Sequence, residues 1–257
     1  MLKFDEIKKY WDDRAAGDRS AQSTTQDYYL RTIESRVLAG LLARIGAETV
    51  ADVGCGDGRT TGSLASIFPK LRFSGFDYSG QMIATARSIS QEAGIGNVTF
   101  AEADICNSIE GQYDALYTTR CLINVPSWEG QKAAIKNLHG ALHPGGHYFM
   151  VENFIEGHNL LNGVRRQYGL PEIAVRNHNL FFERSALLDY VREMFDVVEE
   201  TNISSTYYLV SRVIYSKMCA DAGTTPDYFD DHHRLAAELP FSGEFGPVRL
   251  LCLKKKG

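Results

Sequence analysis

The 257-residue chain has few cysteines: five, at 55, 106, 121, 219 and 252, an odd number with no CxxC pair among them. Neither a disulfide framework nor a zinc ribbon follows from such a set, and the thiols read as reduced and mostly buried. No apolar run approaches the roughly 18 residues a membrane span needs. The opening Met1-Leu-Lys-Phe-Asp-Glu-Ile-Lys-Lys9 also lacks the apolar stretch of a leader. Basic charge is scarce, with a net charge of −5 and the one Lys cluster at Lys254-Lys255-Lys256. A nucleic-acid footprint is therefore not expected. The reading is a cytoplasmic chain, monomer or homodimer, with no membrane or nucleic-acid partner. With 44% apolar and 23% charged residues it can bury one large core.

Through the first 150 residues, β-rich apolar runs alternate with helical patterns, which argues for βαβ units and a mostly parallel sheet. Strands are expected at Thr49–Val53, Leu71–Phe76, Val98–Ala101, Tyr113–Tyr117 and His147–Val151, with helices at about 58–68, 79–92 and 127–141. Leu142-His143-Pro144-Gly145-Gly146 reads as a helix stop and a turn into the fifth strand. Alternation then breaks off. A helix at 184–194 leads to a sixth strand, Phe195–Glu200, and Pro247–Leu253 makes a seventh. Residues 153–181, with a short helix near Leu160–Tyr168, and residues 201–246 read as cap insertions after strand C-termini, where open α/β sheets bind ligands. The whole chain, 1–257, is expected to form one domain, with 1–47 as a helical lid and 48–152 as the cofactor-binding core.

The first strand runs into Asp52-Val53-Gly54-Cys55-Gly56-Asp57-Gly58-Arg59 and then a helix. Glycines there permit positive φ and close approach of the backbone to a ligand. A dinucleotide turn would read GxGxxG, but Arg59 stands in place of the third glycine. Charge is more telling than spacing: Asp52 and Asp57 would each repel a phosphate, by about 1 kcal/mol per close pair even in water. Carboxylates suit a cationic ligand, and S-adenosyl-L-methionine carries an ammonium and a sulfonium but no phosphate. Asp77 follows about 20 residues on, at the end of the second strand, where an acid accepts hydrogen bonds from ribose hydroxyls. Asp104, after the third strand, is placed to accept from an adenine amino group.

In these segments the sequence resembles the class I S-adenosylmethionine-dependent methyltransferases, in particular their small-molecule branch. The matching pieces are Val50–Gly58, Phe76-Asp77-Tyr78-Ser79 with Met82 one turn on, Ala103-Asp104-Ile105, Tyr113–Cys121 and Leu142–Gly146. The resemblance implies a Rossmann-like α/β fold: a seven-stranded, mostly parallel sheet with a reversed last strand, the cofactor lying across the ends of strands one to four. It puts Gly54, Cys55, Gly56, Tyr78, Met82 and Ile105 beside the cofactor with the acids, and Thr119 and Arg120 beside its methionine part. Tyr10-Trp11-Asp12-Asp13-Arg14 is similar to the segment that folds over the cofactor in many relatives, so Tyr10, Trp11 and Arg14 join the set.

Methyl transfer from a sulfonium is an in-line displacement, so holding the acceptor about 3 Å from the methyl supplies much of the rate, and an alcohol acceptor gains from a base. His178, among polar residues just before Leu180-Phe181-Phe182, is the preferred base, with Glu152 as base or orienter and His158 a weaker choice. Asn124, Asn153, Tyr207, Tyr208 and Arg212 are expected on the acceptor. Asp230-Asp231-His232-His233 reads as a solvated face, since adjacent residues do not converge on a metal, and no metal is expected.

The expected activity is methyl transfer to a small polar acceptor, at a hydroxyl or carboxylate oxygen of a sugar or natural-product type. Thr118-Thr119-Arg120-Cys121 stands where base-amino methylating relatives carry an Asn/Asp-Pro-Pro-Tyr motif. N-methylation of a small amine is the alternative, and a non-catalytic cofactor-binding module the distant one. A nicotinamide dehydrogenase is opposed by the missing third glycine and by Asp52 and Asp57.

Overall fold

In the computed structural model, residues 4–17 and 25–257 are described; the remaining stretches of the expected lid, 1–3 and 18–24, lie outside the described residues. Five parallel strands are laid down first: β1 (Thr49–Val53), β2 (Arg72–Asp77), β3 (Val98–Glu102), β4 (Tyr113–Thr119) and β5 (Leu142–Asn153). Helices α3 (Arg59–Ile67), α4 (Gly80–Glu92) and α5 (Trp128–Gly140) connect them, after α1 (Phe4–Gly17) and α2 (Tyr28–Leu42). The strands β6 (Phe195–Asn202) and β7 (Val248–Lys255) complete a seven-stranded sheet of order β3-β2-β1-β4-β5-β7-β6, with β7 antiparallel to both neighbours.

Period-two alternation explains the layers. Ala51, Val53, Leu116, Tyr148 and Met150 enter one core, while Val50, Ala115, Tyr117, Phe149 and Val151 enter the other. Central strands apolar on both faces are what a parallel sheet covered by helices requires. Strand order reverses at β1, which has β2 on one side and β4 on the other, and a crevice opens between β1 and β4 at the strand C-termini.

The expected strands are all present, within a few residues of their predicted ends. One turn is not a turn: Leu142–Gly146 belongs to β5, where the register against β4 shifts between Tyr113 and Ala115. Pro144, without an N–H, and Gly145, at φ +75°, are accommodated as a bulge instead of ending the strand. The first insertion begins with α6 (Ile155–Gln167), which starts two residues past β5 rather than near Leu160. The second is helical from Ser205 onward: α8 (Ser205–Tyr208), a π-helical turn (Leu209–Ile214), α9 (Tyr215–Asp221) and, after a loop, α10 (Asp231–Glu238). Between the insertions lies α7 (Arg184–Val191). None of the described helices is long and apolar enough to cross a membrane.

Candidate active site

A cavity of about 320 Å³ opens at the switch point, between the ends of β1, β2, β4 and β5, the lid helix α1, helix α2 and the cap. Three carboxylates mark one end. Asp52, the penultimate residue of β1, is buried and accepts hydrogen bonds from Thr61 Oγ1 (2.5 Å) and Tyr117 OH (3.0 Å) at a single oxygen, Oδ2. Burial pushes its pKa up to about 7, against the help of those two bonds. Asp77 is held at the end of β2 by the backbone N–H of Gly56 and of Ser79, each 2.9 Å from a carboxylate oxygen, and burial raises it to about 6. Asp57 lies in the glycine turn beside Arg59 (3.2 Å). Gly54, at φ +79°, permits the turn: a Cβ there would stand 2.2 Å from Cys121 Sγ. Gly58, also left-handed at φ +70°, opens α3 against Phe100 and Ala86.

Opposite the acids, β4 ends in Arg120, whose φ of +50° is a left-handed conformation that costs a non-glycine residue of order 1 kcal/mol. An ion pair holds it there: Nε lies 2.8 Å from Glu34 Oε1, and Nη2 donates to Oε2 at 3.1 Å. On α2, Asp27, Arg31 and Glu34 share one face at spacings of four and three and line the cavity together. Asp27 also caps α2 through the N–H of Leu30 and pairs with Arg212 of the π-helical turn.

Helix α1 lies over the opening. Asp12 binds Ser79 Oγ at the start of α4, and Trp11 Nε1 donates to Asn124 Oδ1 at 3.4 Å. Tyr10 packs against the His178 ring at 4.7 Å between centroids. His178 lines the cavity and is itself buried; burial, then Arg176 and Arg14, lower its pKa, so the imidazole is neutral at pH 7. Thr119 Oγ1 and Asn153 Oδ1, both on residues of the cavity wall, are buried without a hydrogen-bond partner among the described residues. Such orphaned acceptors carry a desolvation cost that a donor in the cavity would relieve.

Most residues singled out from the sequence come together here. Trp11, Arg14, Asp52, Gly54, Cys55, Gly56, Asp77, Tyr78, Met82, Thr119, Arg120, Asn124, Asn153, His158, His178, Tyr208 and Arg212 line the cavity. Five do not. Tyr10 reaches it through His178. Asp104 turns its carboxylate to the N–H of Cys106 and the amide of Asn107, and Ile105 is in the core. Tyr207 gives its hydroxyl to Asp27. Glu152, placed by the sequence at the catalytic centre, is instead fully buried, its oxygens accepting the N–H groups of Cys121, Leu122 and Ile123. It fixes the loop after β4 and has no free face for an acceptor. What the sequence reading missed is the α2 face; the i, i+4, i+7 charges at 27, 31 and 34 were its signal.

The donor set fits a cationic nucleoside. The acids lie at the end where the glycine turn brings backbone close, and the orphaned Thr119 hydroxyl can accept from an ammonium. The end is a poor one for phosphate, with three carboxylates and no helix N-terminus free of them.

Comparison with known proteins agrees. Residues 50–146 match a methyltransferase domain family. A trans-aconitate 2-methyltransferase of Escherichia coli is 43% identical over 76 residues, a stretch that is 28% of this chain and 28% of that protein. The O-methyltransferase rstn1 of Aspergillus nomiae is 24% identical over 208 residues, 77% of this chain and 83% of the relative. Among solved structures, magnesium protoporphyrin IX methyltransferase (ChlM) of Synechocystis, with S-adenosylhomocysteine bound, superposes with a TM-score of 0.65 at 17% identity, covering 99% of this chain and 100% of that one. The N-methyltransferase NodS of Bradyrhizobium japonicum, in complex with the same product, gives a TM-score of 0.61 at 15% identity over 98% and 99% of the two chains. The matched sequence spans under a third of the length of that trans-aconitate enzyme and 54% of another, so the domain is shared while the whole-chain activity is a separate question. The glycine turn, the strand-end acids and the 3-2-1-4-5-7-6 sheet therefore lie within, or continue, a segment, residues 50–146, that matches a methyltransferase domain.

Proposed function

We infer that the protein is an enzyme that transfers a methyl group from S-adenosylmethionine to an oxygen of a small polar acceptor. The observation that carries this reading is one cavity holding both an acidic end, Asp52, Asp57 and Asp77, and a neutral imidazole, His178, under an aromatic lid. S-adenosylmethionine, when bound, supplies an electrophilic methyl on a sulfonium whose departure leaves a neutral thioether. Asp77 would accept from the ribose hydroxyls, Asp52 and Asp57 would balance the positive charge, and Thr119 Oγ1 would take an ammonium proton. Trp11 and Tyr10 exclude water above them.

On the acceptor side, His178 takes the hydroxyl proton as the new C–O bond forms. Burial keeps the ring neutral and ready to do so. Asn153 and Tyr208 supply hydrogen bonds that orient the acceptor, and Asn124, whose amide donates to the carbonyls of Arg120 and Cys121, holds the wall and Trp11 beside it; orientation provides the larger share of the rate. Support for oxygen comes from the sequence relatives, one named an O-methyltransferase and others trans-aconitate 2-methyltransferases, while the structural neighbour NodS is an N-methyltransferase.

The test is turnover with S-adenosylmethionine and a panel of hydroxy acids, phenols, sugars and amines, trans-aconitate included. Product methylated on oxygen supports the reading. Methylation confined to amines would make the enzyme an N-methyltransferase.

A further inference from the structure

Arg212 sits in the π-helical turn Leu209–Ile214, a rare arrangement that recurs at functional sites. Its guanidinium lies over the rings of Tyr228, 4.5 Å from the centroid, and Tyr208, at 5.4 Å. Nη2 donates to Asp27 Oδ2 and Nη1 faces His233 Nε2 at 3.4 Å. Tyr207 donates its hydroxyl to Asp27 Oδ1, and its oxygen lies 2.8 Å from His233 Nδ1.

The hydrogens admit one arrangement. Because the Tyr207 proton goes to the carboxylate, its oxygen must accept from His233 Nδ1–H, which leaves Nε2 as the acceptor for Arg212. Arginine, carboxylate, phenol and imidazole thus close a ring in which each donor meets an acceptor. His233 is fully buried, and desolvation followed by the Arg212 charge keeps it neutral, as the ring demands. Arg165 donates to the Arg212 carbonyl and braces the turn from behind.

A guanidinium has five N–H groups and the ring uses two of them. Arg212 nevertheless lines the cavity, beside Tyr208 and Tyr228. The cavity wall carries five arginines, Arg14, Arg31, Arg120, Arg176 and Arg212, and five acids, Asp27, Glu34, Asp52, Asp57 and Asp77, with Arg120 paired to Glu34 and Arg212 to Asp27. A planar fork held rigidly between aromatic faces is matched by a carboxylate.

We propose that Arg212 anchors a carboxylate of the acceptor, and that Asp27, Tyr207 and His233 are positioning residues that hold its guanidinium for that contact. The proposal rests on the methyltransferase reading and narrows its substrate class to a small organic acid, with the methylated oxygen elsewhere on the molecule. Tyr207, expected from the sequence to touch the acceptor, acts through Arg212 instead.

The experiment is calorimetry on the full chain loaded with S-adenosylhomocysteine. Small hydroxy acids and di- and tricarboxylic acids, trans-aconitate and 3-hydroxybenzoate among them, are each titrated against their neutral amides. The wild type is expected to prefer acids by about tenfold or more, the scale of a hydrogen bond to a charged group. R212Q should abolish the preference while leaving S-adenosylhomocysteine affinity within twofold. If R212Q does not fold, Tyr228→Leu, which removes a ring and no hydrogen bond, should reduce the preference severalfold. His233→Phe should lower it as well and His233→Gln, which keeps one donor and one acceptor, should restore it; a merely structural role would show no such rescue in the ratio. Equal binding of acids and amides by the wild type, or a preference that survives R212Q, would overturn the proposal. Failure of the wild type to bind S-adenosylhomocysteine at all would instead remove the function on which it rests.

Discussion

The two ends of the cavity are built by different means. At the acidic end, Asp52 and Asp77 lie at the ends of neighbouring strands and Asp57 in the glycine turn, and the sheet register brings the strand ends together. At the opposite wall, Asp27, Arg31, Glu34, Arg120, His178 and Arg212 come from a lid-side helix, a strand end and two insertions, and side-chain contacts hold them in place. One end is local and backbone-held, the other assembled over long range. Substitutions should therefore separate binding of the cofactor from handling of the acceptor.

The sharpest separation is expected from His178→Ala. Loss of a general base should lower kcat by roughly a hundredfold, the lower range for such catalysis, while S-adenosylmethionine affinity in a calorimeter stays within twofold. Full turnover would remove His178 from the chemistry. At the other end, Asp77→Ala should weaken S-adenosylmethionine by at least about tenfold, since charged hydrogen bonds are lost. Unchanged affinity there would contradict the placement of the ribose.

Glu152 tests whether a buried carboxylate near the site is structural. Glu152→Ala strips the acceptor from the backbone N–H groups of the loop after β4 and should cost about 2–3 kcal/mol, a fall in Tm of roughly 5–10 °C for a chain of this size. An unaltered Tm with abolished turnover would restore it to catalysis.

The acidic end also has a pH signature. Asp52 and Asp77 have folded pKa values raised to about 7 and about 6, so they become fully ionised only above that range. Affinity for the cationic cofactor should rise between pH 5.5 and 8 and then level off. Linkage runs the other way for the ligand-free protein. A carboxyl whose folded pKa exceeds its unfolded one contributes most below about pH 4, and that contribution is lost as pH climbs through 6–7. Asp52→Asn keeps an oxygen for Thr61 and Tyr117, so it should raise the ligand-free Tm by a few degrees at pH 8, change it little at pH 4, and weaken the cofactor.

How much of this was legible in the sequence follows the same divide. The strands of the core, the glycine turn and Asp52 and Asp77 could be read because strand, turn and acid lie within a few residues of each other. Asp104 shows the limit: its position after β3 was right, but its carboxylate is claimed by the N–H of Cys106, a choice of local turn geometry that spacing does not reveal. Asp27, Arg31 and Glu34 look in isolation like the solvated face of an amphipathic helix. Only the return of residues 205–214 over α2 makes them a wall. Glu152 was misread for the converse reason, because a polar residue at a strand end can serve the neighbouring loop as readily as the cavity. The bulge in β5 was read as a turn since proline and glycine mark both.

The central claim is that the crevice beside Gly54 takes a cationic nucleoside and refuses anionic ones. Calorimetric titration of the purified chain with S-adenosylmethionine and with NAD, side by side at pH 8, tests it most directly. Saturable binding of the sulfonium compound with no detectable heat from the dinucleotide is the predicted result, and tight binding of NAD with none of S-adenosylmethionine would contradict it.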